Sequence, residues 1–488
     1  MKEPFKIHSV RYNLIMNIIL KISSFVFPLI TFPYVSRVLG AEYNGKIAFG
    51  ISIINYILMF ANLGIPTYGV KICAQCREDR DKLSKTVHEL FILNIICVFI
   101  SYIVLALLIT FIPKIKDNKE LMIVQSLSII LSAMGLEWFY QAIEQYDYIT
   151  IRNIAFKTLS VVLMFIFVRQ PSDYIKYAGV IVLGSYGSNV LNTLRAHKFI
   201  SFKPYSNYSF SRHIKPIFML VMYSAASMIY ANLDSVMLEF ISGDYQVGLY
   251  SAATKIKSLL VAFITSLGAV TISRISFYVK NGQKDDMFRL IRKSFEYVTL
   301  LSVPISLYCI VESKALIRFL AGESYSEAAG AMQWIMPCMI FIGLTSITTW
   351  QIIIPIGKEK YTVYGALSGA IVDVIFNALL IPRYGAVGAS IGTILAEVAV
   401  LITHFAFLRS YFMKYYPIKE AIKIFGGSII SFVFLKILVK HINFIPVIEI
   451  IISGVLFFGI YGIFLIITKE NIVWSIVSGF LSRIKAKH

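Results

Sequence analysis

Residues 92–112 read ILNIICVFISYIVLALLITFI, 21 in a row without a charge. Wound as an α-helix at 1.5 Å per residue, that run covers about 30 Å, the thickness of a bilayer's hydrocarbon core. Residues 217–237 and 448–467 follow the same pattern with a single acid each, Asp234 and Glu449. Whatever else the chain does, it carries segments that lipid solvates better than water.

The rest of the composition agrees. Charged residues are 15% of the 488, the apolar set is 57%, and mean hydropathy is +0.73. A soluble chain would have about 25% charge. The expected fold is an all-α polytopic membrane protein with about fourteen spans, near 12–36, 44–69, 88–112, 121–140, 150–168, 174–194, 214–240, 247–271, 293–313, 331–354, 361–381, 387–408, 420–438 and 445–467. A transmembrane barrel would instead alternate apolar and polar residues over ten-residue segments. The first apolar run is too long for a signal-peptide core and lacks a cleavage site, so we expect it to be retained as span 1.

A net charge of +19 raises the question of nucleic acid. The basic residues lie in short loops rather than in a basic domain, so no nucleic-acid partner is expected. They follow the positive-inside rule instead. With the N-terminus inside, 30 of the 46 Lys+Arg fall on the cytoplasmic side and 12 on the other. Both termini are therefore expected in the cytoplasm. The tail at 470–488 sets Ile472, Val473, Trp474, Ile476, Val477 and Phe480 among basic residues and reads as an interfacial helix. The longest loops, about 70–87, 195–213 and 274–292, are cytoplasmic, leaving no large outer domain for sugar-transfer chemistry. Five cysteines, an odd number, imply no disulfide framework.

The joins between spans 1 and 2 (SRVLGAEYNGKIAFGISI, 36–53) and between spans 7 and 8 (LEFISGDYQVGLYSAATKI, 238–256) resemble each other. Ala41-Glu42-Tyr43 matches Gly243-Asp244-Tyr245, with a one-residue difference in the distance to the next glycine. A fainter echo links Tyr177–Asn192 with Tyr384–Val398. Six helices repeated predict two six-helix lobes, 1–200 (spans 1–6) and 210–410 (spans 7–12), with spans 13 and 14 (420–467) added and a substrate site between the lobes.

Gly40-x4-Gly45-Lys46 nearly spells a phosphate loop, but Ile47 replaces the metal-binding hydroxyl and no strand precedes it. Cys73-x2-Cys76 lacks a second ligand pair, so no metal is expected. The informative residues are polar groups within spans. Lys21, Asp234, Lys255, Asp373 and Glu397 would together cost roughly 12–17 kcal/mol if all faced lipid. Asn13, Asn17, Lys21 and Ser24 form one stripe of span 1, and Ser52, Asn55 and Asn62 one face of span 2. Span 7 offers Ser224, Ser227 and Asp234; span 8 offers Ser251, Lys255 and Ser258. Asp373 and Asn377 align on span 11, Thr393, Glu397 and His404 on span 12. The plain structural alternative is hydrogen bonding between helices. Pro28 and Pro33 are expected to interrupt span 1.

FPLITFPYVSRVLG (27–40), GLEWFYQAIEQYDYITIRN (135–153), NLDSVMLEFISGDYQVGLYSAATKI (232–256) and IPRYGAVGASIGTILAE (381–397) make the chain resemble the polysaccharide flippases, the O-antigen and capsule repeat-unit transporters of the superfamily that also holds multidrug exporters. The resemblance implies a V-shaped pair of lobes and a bacterial inner-membrane location. Its cargo would be an undecaprenyl-pyrophosphate-linked oligosaccharide, turned from the inner to the outer leaflet. Related precursor flippases place basic residues in helices 1 and 8, where Lys21 and Lys255 stand here; Lys meets phosphate as a point charge, without the fork of Arg. Asn17, Asn55, Asn62 and Asp234 complete the expected cargo site. Asp373, Glu397 and His404 are the coupling candidates, for H+ or Na+, with no other cofactor expected. Membrane lipid, a polysaccharide polymerase and chain-length proteins are the expected partners. A multidrug exporter of the same fold and a membrane glycosyltransferase or polymerase are the competing functions.

Overall fold

The computed structural model describes residues 9–439 and 445–485. It is all-helical, with no strand among the described residues. Ten described helices are long and apolar enough to cross a membrane. Two of these, Tyr12–Gln75 and Lys360–Arg409, each contain two expected spans. Helical stretches at 174–196 and 211–242 supply the remaining two expected crossings. The protein is a multi-pass membrane protein. Its outward-facing residues include Phe99, Phe111, Val455 and Ile467, each more than 60% exposed, a surface suited to acyl chains and not to water.

Glycines break the long helices. Gly40 (φ 71°, ψ 178°) separates spans 1 and 2, and Gly243 (φ 82°, ψ 176°) separates Ser211–Ser242 from Asp244–Lys280. This backbone region is essentially closed to residues with a Cβ. The matching dihedrals correct the repeat register. Gly40 is equivalent to Gly243, so Asp244 occupies the place of Ala41 and Tyr245 that of Glu42. The one-residue difference then vanishes, and both joins read Gly-x4-Gly. Pro28 and Pro33 do not interrupt span 1, because Gly40 is the only residue of Val10–Asn62 with non-helical dihedrals.

By contacts the chain separates into two compact units, Met1–Gly248 and Leu249–His488. The first unit ends beyond the loop at 195–213 because the C-terminal half of span 7 packs on span 2. There Asn55 Nδ2 donates to Asn232 Oδ1 at 3.1 Å, and Lys114 reaches the buried Glu239 carboxylate at 3.0 Å. Gly45 abuts the backbone of Asp244, and Gly248 that of Ala41. Added Cβ atoms would overlap carbonyl oxygens in both places, so the two joins meet with their glycines exchanged across a local two-fold.

Within the first unit Tyr68, Trp138, Phe139, Tyr140 and Phe199 form an aromatic cluster. Nearby, buried Glu89 accepts from Ser209 N (2.7 Å) and from His213 Nε2 (2.8 Å), fastening the loop at 195–213 to span 3. In the second unit Tyr461 donates to the Leu300 carbonyl (2.9 Å) and Tyr308 to the Ile450 carbonyl (2.7 Å), two bonds that tie span 14 to span 9. The tail forms a helix, Asn471–Lys485, whose Val473 N–H donates to Glu470 Oε2 at 2.9 Å.

Candidate functional site

The span 1 stripe does not converge on one cavity. Asn13 is buried and donates to Glu144 Oε2 at 3.0 Å, and Glu144 also pairs with Arg77 at 2.6 Å. Asn17 is half-buried and Lys21 exposed. Ser24 accepts from Lys157 Nζ at 2.9 Å, and Ser23 accepts from the same amine at 3.1 Å. Lys157 sits inside span 5 and had no place among the expected site residues, although its position within an apolar run was visible in the sequence.

On span 2, Ser52 turns back to its own helix, donating to the Ala48 carbonyl at 2.9 Å. Asn55 joins span 7. Asn62 behaves differently: it exchanges hydrogen bonds of 3.2 Å with Ser132 and lines a cavity of about 200 Å³ inside the first unit. Asn94, Glu137, Trp138, Gln141 and Asn189 are on the same wall. Glu137 is half-buried and within electrostatic reach of Arg152 and Lys157. Arg152 is itself buried and donates to the Ser188 carbonyl at 3.1 Å. Sequence reasoning passed over Glu137 because it lies at the edge of span 4, where a charge costs little. The signal that was available is an acid followed at once by Trp at the end of an apolar run.

In the second unit, spans 11 and 12 fold back on each other at Gly385 (φ 52°) as an antiparallel hairpin. Asn377 lies against Gly392, and His404 against Gly365. Both contacts set the same register, which puts Asp373 level with Ala396 and Glu397. Asp373, Glu397 and His404 are all buried, as are Asn377 and Thr393. Thr393 shares a 3.0 Å hydrogen bond with Tyr250, and His404 Nδ1 meets Thr348 Oγ1 at 2.8 Å. Thr393 and His404 therefore stand beside helix neighbours, and the buried acids turn inward and not toward lipid. Lys255 is half-buried on span 8. Asp234 is buried in the first unit, whereas Lys255 belongs to the second. The side chains of Ser224 and Ser227 lie outside those described.

Charged groups outside the spans show how the turns are held. Asp173, in the turn before span 6, accepts from Lys176 Nζ (2.7 Å) and from the backbone N–H groups of Arg169 (3.0 Å) and Gln170 (3.1 Å). The Lys176 bond, followed by the backbone bonds, pulls its carboxyl down to about 2. Asp79 caps span 3 by accepting from the N–H groups of Lys82 and Asp81, both at 3.1 Å, and the Lys82 contacts lower its carboxyl below the usual range. Among the described residues no group of three His, Cys, Asp or Glu could hold a metal ion.

Residues 10–279 match the sequence profile of the polysaccharide biosynthesis protein family, and residues 219–379 match that of MatE. A protein named as an O-antigen transporter in Escherichia coli (strain K12) is 24% identical over 407 residues, covering 82% of this chain and 97% of its own length. Among solved structures, the lipid II flippase MurJ in an inward closed conformation superposes with a TM-score of 0.77 at 14% identity, over 94% of this chain and 100% of that one. An inward-facing multidrug resistance MATE transporter of the MOP superfamily does so with a TM-score of 0.60 at 15% identity, over 80% of this chain and 94% of that one.

Proposed function

Because the chain belongs to the polysaccharide biosynthesis protein family, we propose that it is a flippase for a lipid-linked oligosaccharide. It is a transporter and not an enzyme, and it moves its cargo from the inner to the outer leaflet of the bacterial cytoplasmic membrane, with both termini in the cytoplasm. The observation that carries this reading is the collection of polar and ionisable residues inside the helical units: half-buried Asn62 and Glu137 with buried Asp234 in the first, buried Asp373, Glu397 and His404 in the second. Such groups are costly in a membrane protein and mark a path for a polar solute.

The cargo is an undecaprenyl-pyrophosphate-linked repeat unit, and the cycle is alternating access. A pyrophosphate crossing about 30 Å of hydrocarbon needs compensating positive charge. Lys21 and Lys255, one in each unit, supply it in succession, with Asn17 and Asn55 facing the glycan and Asp234 balancing the charge when no cargo is bound. Two acids at one level of a hairpin do not both ionise cheaply, so Asp373 and Glu397 hold a proton or share a sodium ion, with His404 extending the relay.

Complementation of a strain lacking its own repeat-unit flippase tests the reading through recovery of surface polysaccharide. Lys21→Ala and Lys255→Ala should each abolish that recovery at normal membrane level, with Arg rescuing in part and Glu not at all. Normal export from the double alanine variant overturns the assignment. The MatE match favours one alternative, a cation-coupled multidrug exporter of the same fold. Drug resistance without glycan export in the same strain would select it.

A further inference from the structure

We propose that the cavity bounded by Asn62, Asn94, Glu137, Trp138, Gln141 and Asn189 is a carbohydrate site that takes one neutral or N-acetylated pyranose of the cargo. The inference rests on the flippase reading and adds to it a specificity-determining site away from the cationic residues.

The wall has the chemistry of a sugar site. Hydroxyls both donate and accept, and side-chain amides offer both functions. A carboxylate accepts from two neighbouring hydroxyls, and an aromatic face covers the ring's C–H groups. The amides are already positioned. Asn94 Nδ2 donates to the Ala61 carbonyl at 2.7 Å, and Asn189 Nδ2 to the Leu131 carbonyl at 3.0 Å. One N–H of each amide is thus committed and fixes its orientation, which leaves the side-chain oxygen and the second N–H for hydroxyls. Trp138 is packed so closely over Gly69 that any side chain there would strike the indole.

Size and charge narrow the guest. About 200 Å³ is smaller than the roughly 300–1,000 Å³ of pockets for drug-sized ligands, and corresponds to one ring with its hydroxyls. Among the described lining residues Glu137 is the only carboxylate, and there is no Lys, Arg or His. A carboxylate disfavours phosphates and uronic acids, so the pyrophosphate is assigned elsewhere.

The backbone supplies an independent argument. Of four non-glycine residues with positive φ among those described, Leu63 and Leu136 (both φ 44°) adjoin lining residues Asn62 and Glu137. Leu183–Gly187 forms a π-helical turn and contributes Ser185 and Tyr186 to the wall. Three irregular segments adjoin one small cavity, and such features collect at functional sites. By topology the cavity lies toward the inner ends of spans 2, 4 and 6, where cargo made in the cytoplasm would first be sampled.

The test uses the full-length protein in nanodiscs with Trp334, Trp350 and Trp474 replaced by Phe, which leaves Trp138 as the sole indole. N-acetylglucosamine, galactose and rhamnose are titrated singly against its emission, with glucuronate, inorganic phosphate and sodium chloride as contrasts. A saturable change with at least one neutral sugar, weakened at least tenfold by Glu137→Gln and by Gln141→Leu, is the expected result. No change with any sugar, or a change with phosphate or sodium alone, overturns the proposal. In cells, both variants at normal membrane level should lower surface glycan at least tenfold. If the unaltered protein restores export and both variants match it, the site fails while the flippase reading stands. If the unaltered protein restores nothing, the flippase reading fails, and the titration still decides the site.

Discussion

The turn at Gly40 and the turn at Gly243 have nearly the same backbone, and each sends a second glycine, five residues on, against the other's peptide. Their charges differ. The first turn carries Glu42 and Lys46, which pair at 3.4 Å on a partly exposed surface. The second carries Asp244, 4.0 Å from Lys46, and lies beyond Glu239, a nearly inaccessible carboxylate held by Lys114. Steric demand is therefore symmetric at this joint while electrostatic demand is not. Close backbone approach admits glycine alone, so both copies of the repeat keep it. A charge can be met from several directions, so each copy meets it in its own way.

The sharpest way to break the comparison is to fill the approach. Gly45→Val and Gly248→Val should each destabilise the protein by about 3 kcal/mol, the upper end of overpacking costs, because the obstructing atom is a backbone carbonyl. Equal drops in thermal midpoint, and a double variant worse than either by less than the sum, would confirm one shared joint. Independent, additive drops would separate the two turns.

The charges should give smaller and unequal effects. Lys114→Met leaves Glu239 buried without its ion-pair partner and should cost about 1–3 kcal/mol. Lys46→Met removes a surface pair and should cost less than about 1 kcal/mol. Chemical unfolding of the purified variants measures both, and equal costs would remove the asymmetry.

A third turn gives the smallest effect, because a carboxylate in place of a glycine organises it. Asp173 has its carboxyl depressed to about 2 by Lys176 and two backbone N–H groups. A depressed acid stabilises the fold above its ordinary value near 3.8, and that contribution disappears as pH falls through 2. Asp173→Asn should therefore be less stable than the parent at pH 6, with the gap closing between pH 4 and 2. A gap that does not change with pH would mean the turn is held by shape alone.

The hairpin of spans 11 and 12 is legible in the sequence. Asp373 lies nine residues before Pro382 and Glu397 eleven after Ala386, which puts both at similar depth, and the Gly392 and Gly365 contacts place them level. Adjacent helices joined by a tight turn inherit their register from the turn. The stripe on span 1 misled because periodicity gives a face of a helix but not what lies opposite. Asn13 and Ser24 meet Glu144 and Lys157, residues more than 100 positions away.

Membrane insertion acts on each segment of about 20 residues by its own hydropathy, so the number, order and expected direction of the spans could be read from the chain alone. The same holds for which spans carry costly polar groups. Only the tertiary structure brings Asn62, Asn94, Glu137 and Asn189 around one cavity, and only it aligns Gly40 with Gly243. Those relations depend on helix rotation and on the strained turns at Leu63 and Leu136. Packing between segments far apart in sequence sets them, and no local pattern encodes it.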